Sequence, residues 1–135
     1  MMLPDAFALT RAEHDHLRDA LLGIEAGLAS GDLAGAAAAW LTFFAERMEP
    51  HMQAEEREVY ALFARRLDAG IAREMRADHD TARALTALLA QACARGPEAA
   101  EEVQAMLQDL LLLLRAHLRK EEQVVQPLLE RLRPE

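Results

Sequence analysis

The chain has 135 residues, enough for one domain with a buried core, and at 52% hydrophobic and 28% charged it fits a soluble globular protein and not a disordered one. A formal net charge of −8 works against binding a phosphate backbone, which excludes nucleic acid as a partner. A single Cys permits no internal disulfide and suits a reducing cytoplasm, and the longest apolar run near the end, Leu110 to Leu114, is far short of the roughly 18–20 residues of a membrane span.

Ala, Leu, Glu and Arg dominate and aromatics make up only 4%, a mixture that favours helix over sheet. The first residues, Met1-Met2-Leu3-Pro4-Asp5, lack a basic stretch followed by an apolar core, so no signal peptide is expected. Pro4-Asp5 suits a helix start, and Phe7, Leu17, Leu21, Ile24 and Leu28 mark one face of a helix over about 5–29 that also carries His14. Ser30-Gly31-Asp32 ends it, and Asp32 can cap a second helix over about 33–67. That helix carries Trp40, Phe44 and Met48 on the side of His51, and Pro50 should kink it just before His51. Arg65-Arg66 and Asp68-Ala69-Gly70 read as a basic last turn and a stop. A third helix, about 71–94, places Met75, Ala82, Thr86, Leu89 and Cys93 on the face of His79, and Gly96-Pro97 breaks it. A fourth, about 98–132, has Leu110, Leu113, Leu114, Val124, Leu128 and Leu132 on its His117 side, with a bend expected at Pro127 one or two turns past Glu121.

The chain repeats itself. His51-Met52-Gln53-Ala54-Glu55-Glu56 returns as His117-Leu118-Arg119-Lys120-Glu121-Glu122 at an offset of 66 residues, and Arg11-Ala12-Glu13-His14-Asp15 returns as Arg76-Ala77-Asp78-His79-Asp80 at an offset of 65. A His and a Glu four positions apart lie on one helix face, so each His-x-x-x-Glu offers an imidazole and a carboxylate to one point. His14 is 16 residues before Ser30 and His51 is 19 after Asp32, while His79 is 15 before Ala94 and His117 is 19 after Glu98. At about 1.5 Å per residue, all four His fall at similar depth below their turns. Short turns make successive helices antiparallel neighbours, so the predicted fold is an all-α, up-down-up-down four-helix bundle with His14, His51, Glu55, His79, His117 and Glu121 in one layer.

Imidazole and carboxylate donors suit iron, manganese or zinc. Four His and two Glu exceed the needs of one ion, but two ions sharing both carboxylates, with a solvent-derived bridge, would use every donor and keep an open position each. Iron is the expected metal, since this ligation suits dioxygen, nitric oxide or peroxide chemistry. A lone His on an apolar face is ordinarily a satisfied core residue, but six buried imidazole and carboxylate groups converging with nothing to compensate them would carry a large desolvation cost. A ferritin-like di-iron site would need two Glu-x-x-His pairs, which this chain lacks. His16 lies about 200° round the helix from His14 and is expected to face solvent. Glu56 and Glu122 are expected as outer carboxylates and Cys93 as a small core residue. Tyr60, nine positions after His51, is expected on the far side of its helix, with no role.

His14 in Glu-His-x-x-Leu, His51-x-x-x-Glu55-Glu56, His79 in Asp-His, and His117-x-x-x-Glu121-Glu122 followed by Pro127 together resemble the hemerythrin-like (HHE cation-binding) family, across essentially the whole chain. The resemblance implies a non-haem di-iron centre, carboxylate- and oxo- or hydroxo-bridged, with Glu55 and Glu121 as the bridges; zinc or manganese are possible substitutes. Oxygen-carrying hemerythrins have a further His one turn before the third-helix ligand, where this chain has Met75. They also use an acidic bridge five residues after the last His, a spacing that Glu122 meets; Glu121 is preferred because it repeats the Glu55 spacing. Without the further His both irons would stay open, which points to sensing of, or reaction with, dioxygen, nitric oxide or peroxide in place of reversible oxygen carriage. Enzymatic consumption of peroxide or reduction of nitric oxide, or plain metal storage, are the alternatives.

Overall fold

A computed structural model describes the backbone of residues 3–132 and the side chains of residues 12–132. Four helical rods account for nearly all of it: α1 (Leu3–Ala29), α2 (33–66), α3 (Ala69–Ala94) and α4 (97–130). No strand occurs among the described residues. The Phe7 side chain, expected on the buried face of α1, lies outside the described side chains.

The turns follow from local chemistry. Gly31 and Gly96 adopt φ of 89° and 92°, a left-handed conformation that costs glycine little and lets the chain reverse after α1 and α3. The Asp32 carboxylate accepts from Gly35 N at 3.0 Å, and Asp68 accepts from Ile71 N at 2.9 Å, so each caps the following helix. Because Asp68 is a cap and not part of a stop, α3 starts at Ala69, two residues earlier than the sequence suggested, with Gly70 in its first turn. The reversals make every neighbouring pair antiparallel. Trp40 meets Thr86 and Glu56 meets His79 across α2 and α3, while His79 meets His117 and Glu74 meets Lys120 across α3 and α4. Arg18 meets Glu122 across α1 and α4.

Three π-helical segments interrupt the two even-numbered rods: Phe44–Met48 and Glu55–Tyr60 in α2, and Glu121–Val125 in α4. Two of them end against a proline. Glu49 N bonds back to Phe44 O just before Pro50, and Gln126 N bonds back to Glu121 O just before Pro127. Proline lacks an N–H, and its ring crowds the carbonyl four residues back, so a widened turn relieves both problems without breaking the rod. Each π segment inserts a residue relative to α-helical counting and rotates everything after it. In α4 this corrects the expected stripe: Val125 and Leu129 are buried, Leu128 is only half-buried, and Val124 is 38% exposed.

The apolar residues form two clusters. A larger one lies toward the Gly31 and Gly96 turns and includes Leu17, Leu21, Trp40, Phe44, Met48, Leu89, Leu107, Leu110 and Leu114. The Trp40 indole is fully buried, stacks on Phe44 and donates to Thr86 Oγ1 at 3.1 Å, so its one polar atom is satisfied. The smaller cluster includes Val59, Phe63, Ala72, Met75, Val125 and Leu129. Between them lies a polar layer.

Candidate metal centre

That layer contains the six residues singled out by the repeats. His14, His51, Glu55, His79, His117 and Glu121 come from all four rods, and none is more than 2% exposed. Their inward atoms form two groups. One atom each from His14, His51, Glu55 and Glu121 lie within 4.8 Å of one another, as do atoms from Glu55, His79, His117 and Glu121. The carboxylates belong to both groups and join them. Glu55 Oε2 faces the first pair, 3.2 Å from His51 Nε2 and 3.6 Å from His14 Nε2, while its Oε1 is 3.4 Å from His79 Nε2. Glu121 Oε1 is 2.8 Å from His117 Nε2 and 3.8 Å from His14 Nε2. The four imidazoles therefore divide by hairpin, His14 with His51 and His79 with His117.

A ring of four more carboxylates surrounds the imidazoles. His79 Nδ1 donates to Glu56 at 2.8 Å and His117 Nδ1 to Asp78 at 2.9 Å. Glu13 lies 3.1 Å from His51 Nδ1 and Glu122 lies 3.5 Å from His14 Nδ1. Each imidazole thus faces a carboxylate from the preceding rod, in cyclic order α1 to α2 to α3 to α4 and back to α1. Cations brace three of the four: Arg83 bonds Glu56, Lys120 lies 2.8 Å from Asp78, and Arg18 pairs with Glu122. At His79 and His117 the carboxylate hydrogen-bonded to Nδ1 fixes the proton there and leaves the Nε2 lone pair pointing into the layer, the arrangement in which histidine binds metals. The Nδ1 atoms of His14 and His51 face their carboxylates without a hydrogen bond.

The same layer satisfies its own polar atoms poorly. His14 Nε2, His51 Nε2, Glu55 Oε2 and Glu121 Oε1 are buried without a hydrogen-bond partner. Leaving such groups unpaired in an apolar interior is costly, and a cation among them would compensate all four. The donor set and its orphaned atoms fit a metal. A model of the hemerythrin HHE cation binding domain matches residues 5–129. The chain belongs to the hemerythrin family. A search of the curated proteins found no match, and neither did a search of the solved structures.

Several expectations for outer residues hold in this hemerythrin fold. His16 is exposed, Glu56 and Glu122 stand outside the imidazoles, and Cys93 is partly buried beside the larger core. Met75, where oxygen carriers have a further His, is 2% exposed and packs in the smaller apolar cluster. One expectation fails. Tyr60 is at the centre of the layer and not on the far side of its helix. Its hydroxyl is 3.0 Å from Glu121 Oε2, 3.1 Å from His117 Nε2, 3.2 Å from His79 Nε2 and 3.4 Å from Glu55 Oε1. The cause is the π segment Glu55–Tyr60. With an α-helical turn, a residue five beyond Glu55 would point about 140° away, whereas a turn that bonds i to i+5 brings it back beneath Glu55.

Electrostatics couple the layer. Burial and the neighbouring Glu55 charge push Glu121 up to about 7. Burial alone would push Glu55 up, yet Glu121 and the His14, His51 and His79 rings turned toward it favour its charged form and hold it well below the usual range. Burial pulls His51 and His117 down, yet their carboxylate partners prevail, bringing His51 to about 9 and His117 to about 10. Tyr60 is pushed well above its usual value by burial and by the Glu55 and Glu121 charges. With protein groups alone the layer therefore holds extra protons at neutral pH, and a metal would displace them.

Proposed function

We propose that this chain binds two iron ions, one between His14 and His51 and one between His79 and His117, with Glu55 and Glu121 shared by both, and that the pair takes up or reacts with dioxygen, nitric oxide or peroxide. The observation that carries this reading is the pair of four-donor groups with both carboxylates in common. One ion would leave two imidazoles idle. An iron pair held by these residues would supply reversible electron storage and a place for a small ligand. The chain's own residues enclose the donors inside the bundle, which limits access to molecules of a few atoms. Glu13, Glu56, Asp78 and Glu122 orient the rings, and Arg18, Arg83 and Lys120 hold three of those carboxylates.

Metal analysis together with an optical spectrum tests the proposal. Two irons per chain with the near-ultraviolet bands of a bridged ferric pair are expected. One zinc per chain without such bands would refute it and leave a structural or storage site. With iron in place, turnover of added peroxide would separate an enzyme from a sensor. Among the described residues no helix is long and apolar enough to cross a membrane.

A further inference from the structure

The two proposed ion positions are not equivalent, because only one of them contains a phenol. We propose that Tyr60 is a protein ligand to the ion held by His79 and His117. This rests on the two-ion reading above.

The first support is distance. Two ligands at right angles, each about 2.1 Å from a common ion, lie about 3.0 Å apart. The Tyr60 hydroxyl stands at 3.0, 3.1, 3.2 and 3.4 Å from Glu121, His117, His79 and Glu55, the spacing of neighbouring ligands in one coordination sphere. The His79 and His117 Nε2 atoms are themselves 3.0 Å apart. Both rings give their Nδ1 protons to carboxylates, so in their neutral forms two lone pairs meet at that distance. One hydroxyl proton cannot serve both nitrogens and two carboxylates, whereas a cation among the five atoms serves all of them.

The second support is the repeat. The 66-residue offset that maps His51 onto His117 and Glu55 onto Glu121 maps Tyr60 onto Gln126. Both follow a Glu by five residues across a π segment. Gln126 is 9% exposed, its amide nitrogen has no hydrogen-bond partner, and it lines a 540 Å³ cavity with Ala12, Asp15 and Glu122. It has no contact with the imidazoles like that of Tyr60. One half of the duplicated fold thus brings a phenol oxygen to its ion, and the other half does not. Tyr60 belongs to the same apolar cluster as Met75, so on that side of the layer the second helix brings an oxygen donor where the third helix carries a thioether. The His14–His51 ion is then the one that keeps a free position for the small ligand.

Coordination exchanges the O–H bond of Tyr60 for an O–metal bond, and the proton leaves to solvent. Ferric iron bound to phenolate absorbs visible light by charge transfer from the ring, and excitation in that band enhances the ring vibrations in the Raman spectrum. The iron-loaded protein is expected to show the band and the ring vibrations. Tyr60→Phe is expected to lose both while keeping the near-ultraviolet bands, and to release one proton fewer per chain on loading. A wild-type protein with two ferric ions and no visible band would overturn the assignment, with no dependence on how the variant folds. A band that survives in Tyr60→Phe would also overturn it. Failure to load two irons at all would refute the two-ion reading and this inference with it, an outcome distinct from two irons without colour.

Discussion

Asp78→Asn offers the sharpest test of how the outer carboxylates act. Asp78 accepts from His117 Nδ1 at 2.9 Å and lies 2.8 Å from Lys120 Nζ, with 17% of its side chain exposed. Such charge-assisted bonds are worth about 1.5–3 kcal/mol. Carboxylates that orient metal-binding histidines typically contribute 10- to 100-fold in metal affinity, or about 1.4–2.7 kcal/mol. Asn adds a second effect. Its amide N–H can donate to Nδ1, which moves the imidazole proton to Nε2, the nitrogen facing Glu121, Tyr60 and His79. Asp78→Asn is therefore expected to lose iron affinity by about 100-fold or more, and Asp78→Ala by about 10- to 100-fold. The assay is competition for ferrous iron against a graded series of chelators, with the exposed Asp109→Asn as the control expected to behave as wild type. If Asp78→Asn held iron as tightly as wild type, the ring of carboxylates would not set the orientation of the imidazoles.

His51→Ala and His117→Ala are each expected to lose metal while His16→Ala keeps it, because His16 is exposed and the others are buried in the layer; metal content after dialysis reads this, and loss in His16→Ala would contradict the ligand set. His51 and His117 are raised from 6.5 to about 9 and about 10, so in metal-free protein they stabilise the fold fully below about pH 6.5 and lose that contribution as pH rises through those values. Glu121, raised from 4.5 to about 7, acts in the same sense, because the unfolded chain gives up that proton more readily between those values. The Tm of metal-free protein should thus fall between about pH 6 and about pH 9, and metal uptake should release protons and tighten with rising pH. A Tm that rises over that interval would contradict the assigned shifts. Trp40→Ala should cost about 3–5 kcal/mol by denaturant unfolding, because it empties a fully buried site beside Phe43 and Phe44 and leaves the Thr86 hydroxyl without its donor.

The bundle and the six central residues were legible because they depend on regular counting. His-x-x-x-Glu puts two donors on one face of any α-helix, and turns marked by Gly31 and Gly96 set the depth of each rod. Tyr60 was illegible for the same reason. Helical counting at 3.6 residues per turn sends it to the opposite face, and only the π segment Glu55–Tyr60 brings it back. Pro127 marks the equivalent segment in α4, but no proline follows Tyr60, so the sequence carried no local sign of the widened turn in α2. The corresponding insertion in α4, Glu121–Val125, moved Val124 out to solvent and brought Val125 in. Glu13 and Asp78 were visible as residues immediately before His14 and His79 in the repeat. Their role depends on facing a ring of the next rod, a relation between helices that the spacing within one helix does not express. Position 56 behaved as expected, since a residue next to a central carboxylate on a helix points to its rim, where Glu56 meets His79 and Arg83.

Anomalous diffraction at the iron edge from crystals of the iron-loaded protein tests the central claim most directly. Two peaks are predicted, one beside the Nε2 atoms of His14 and His51 and one beside those of His79 and His117, with Glu55 and Glu121 reaching both. A single peak, or two peaks away from these four rings, would contradict the account.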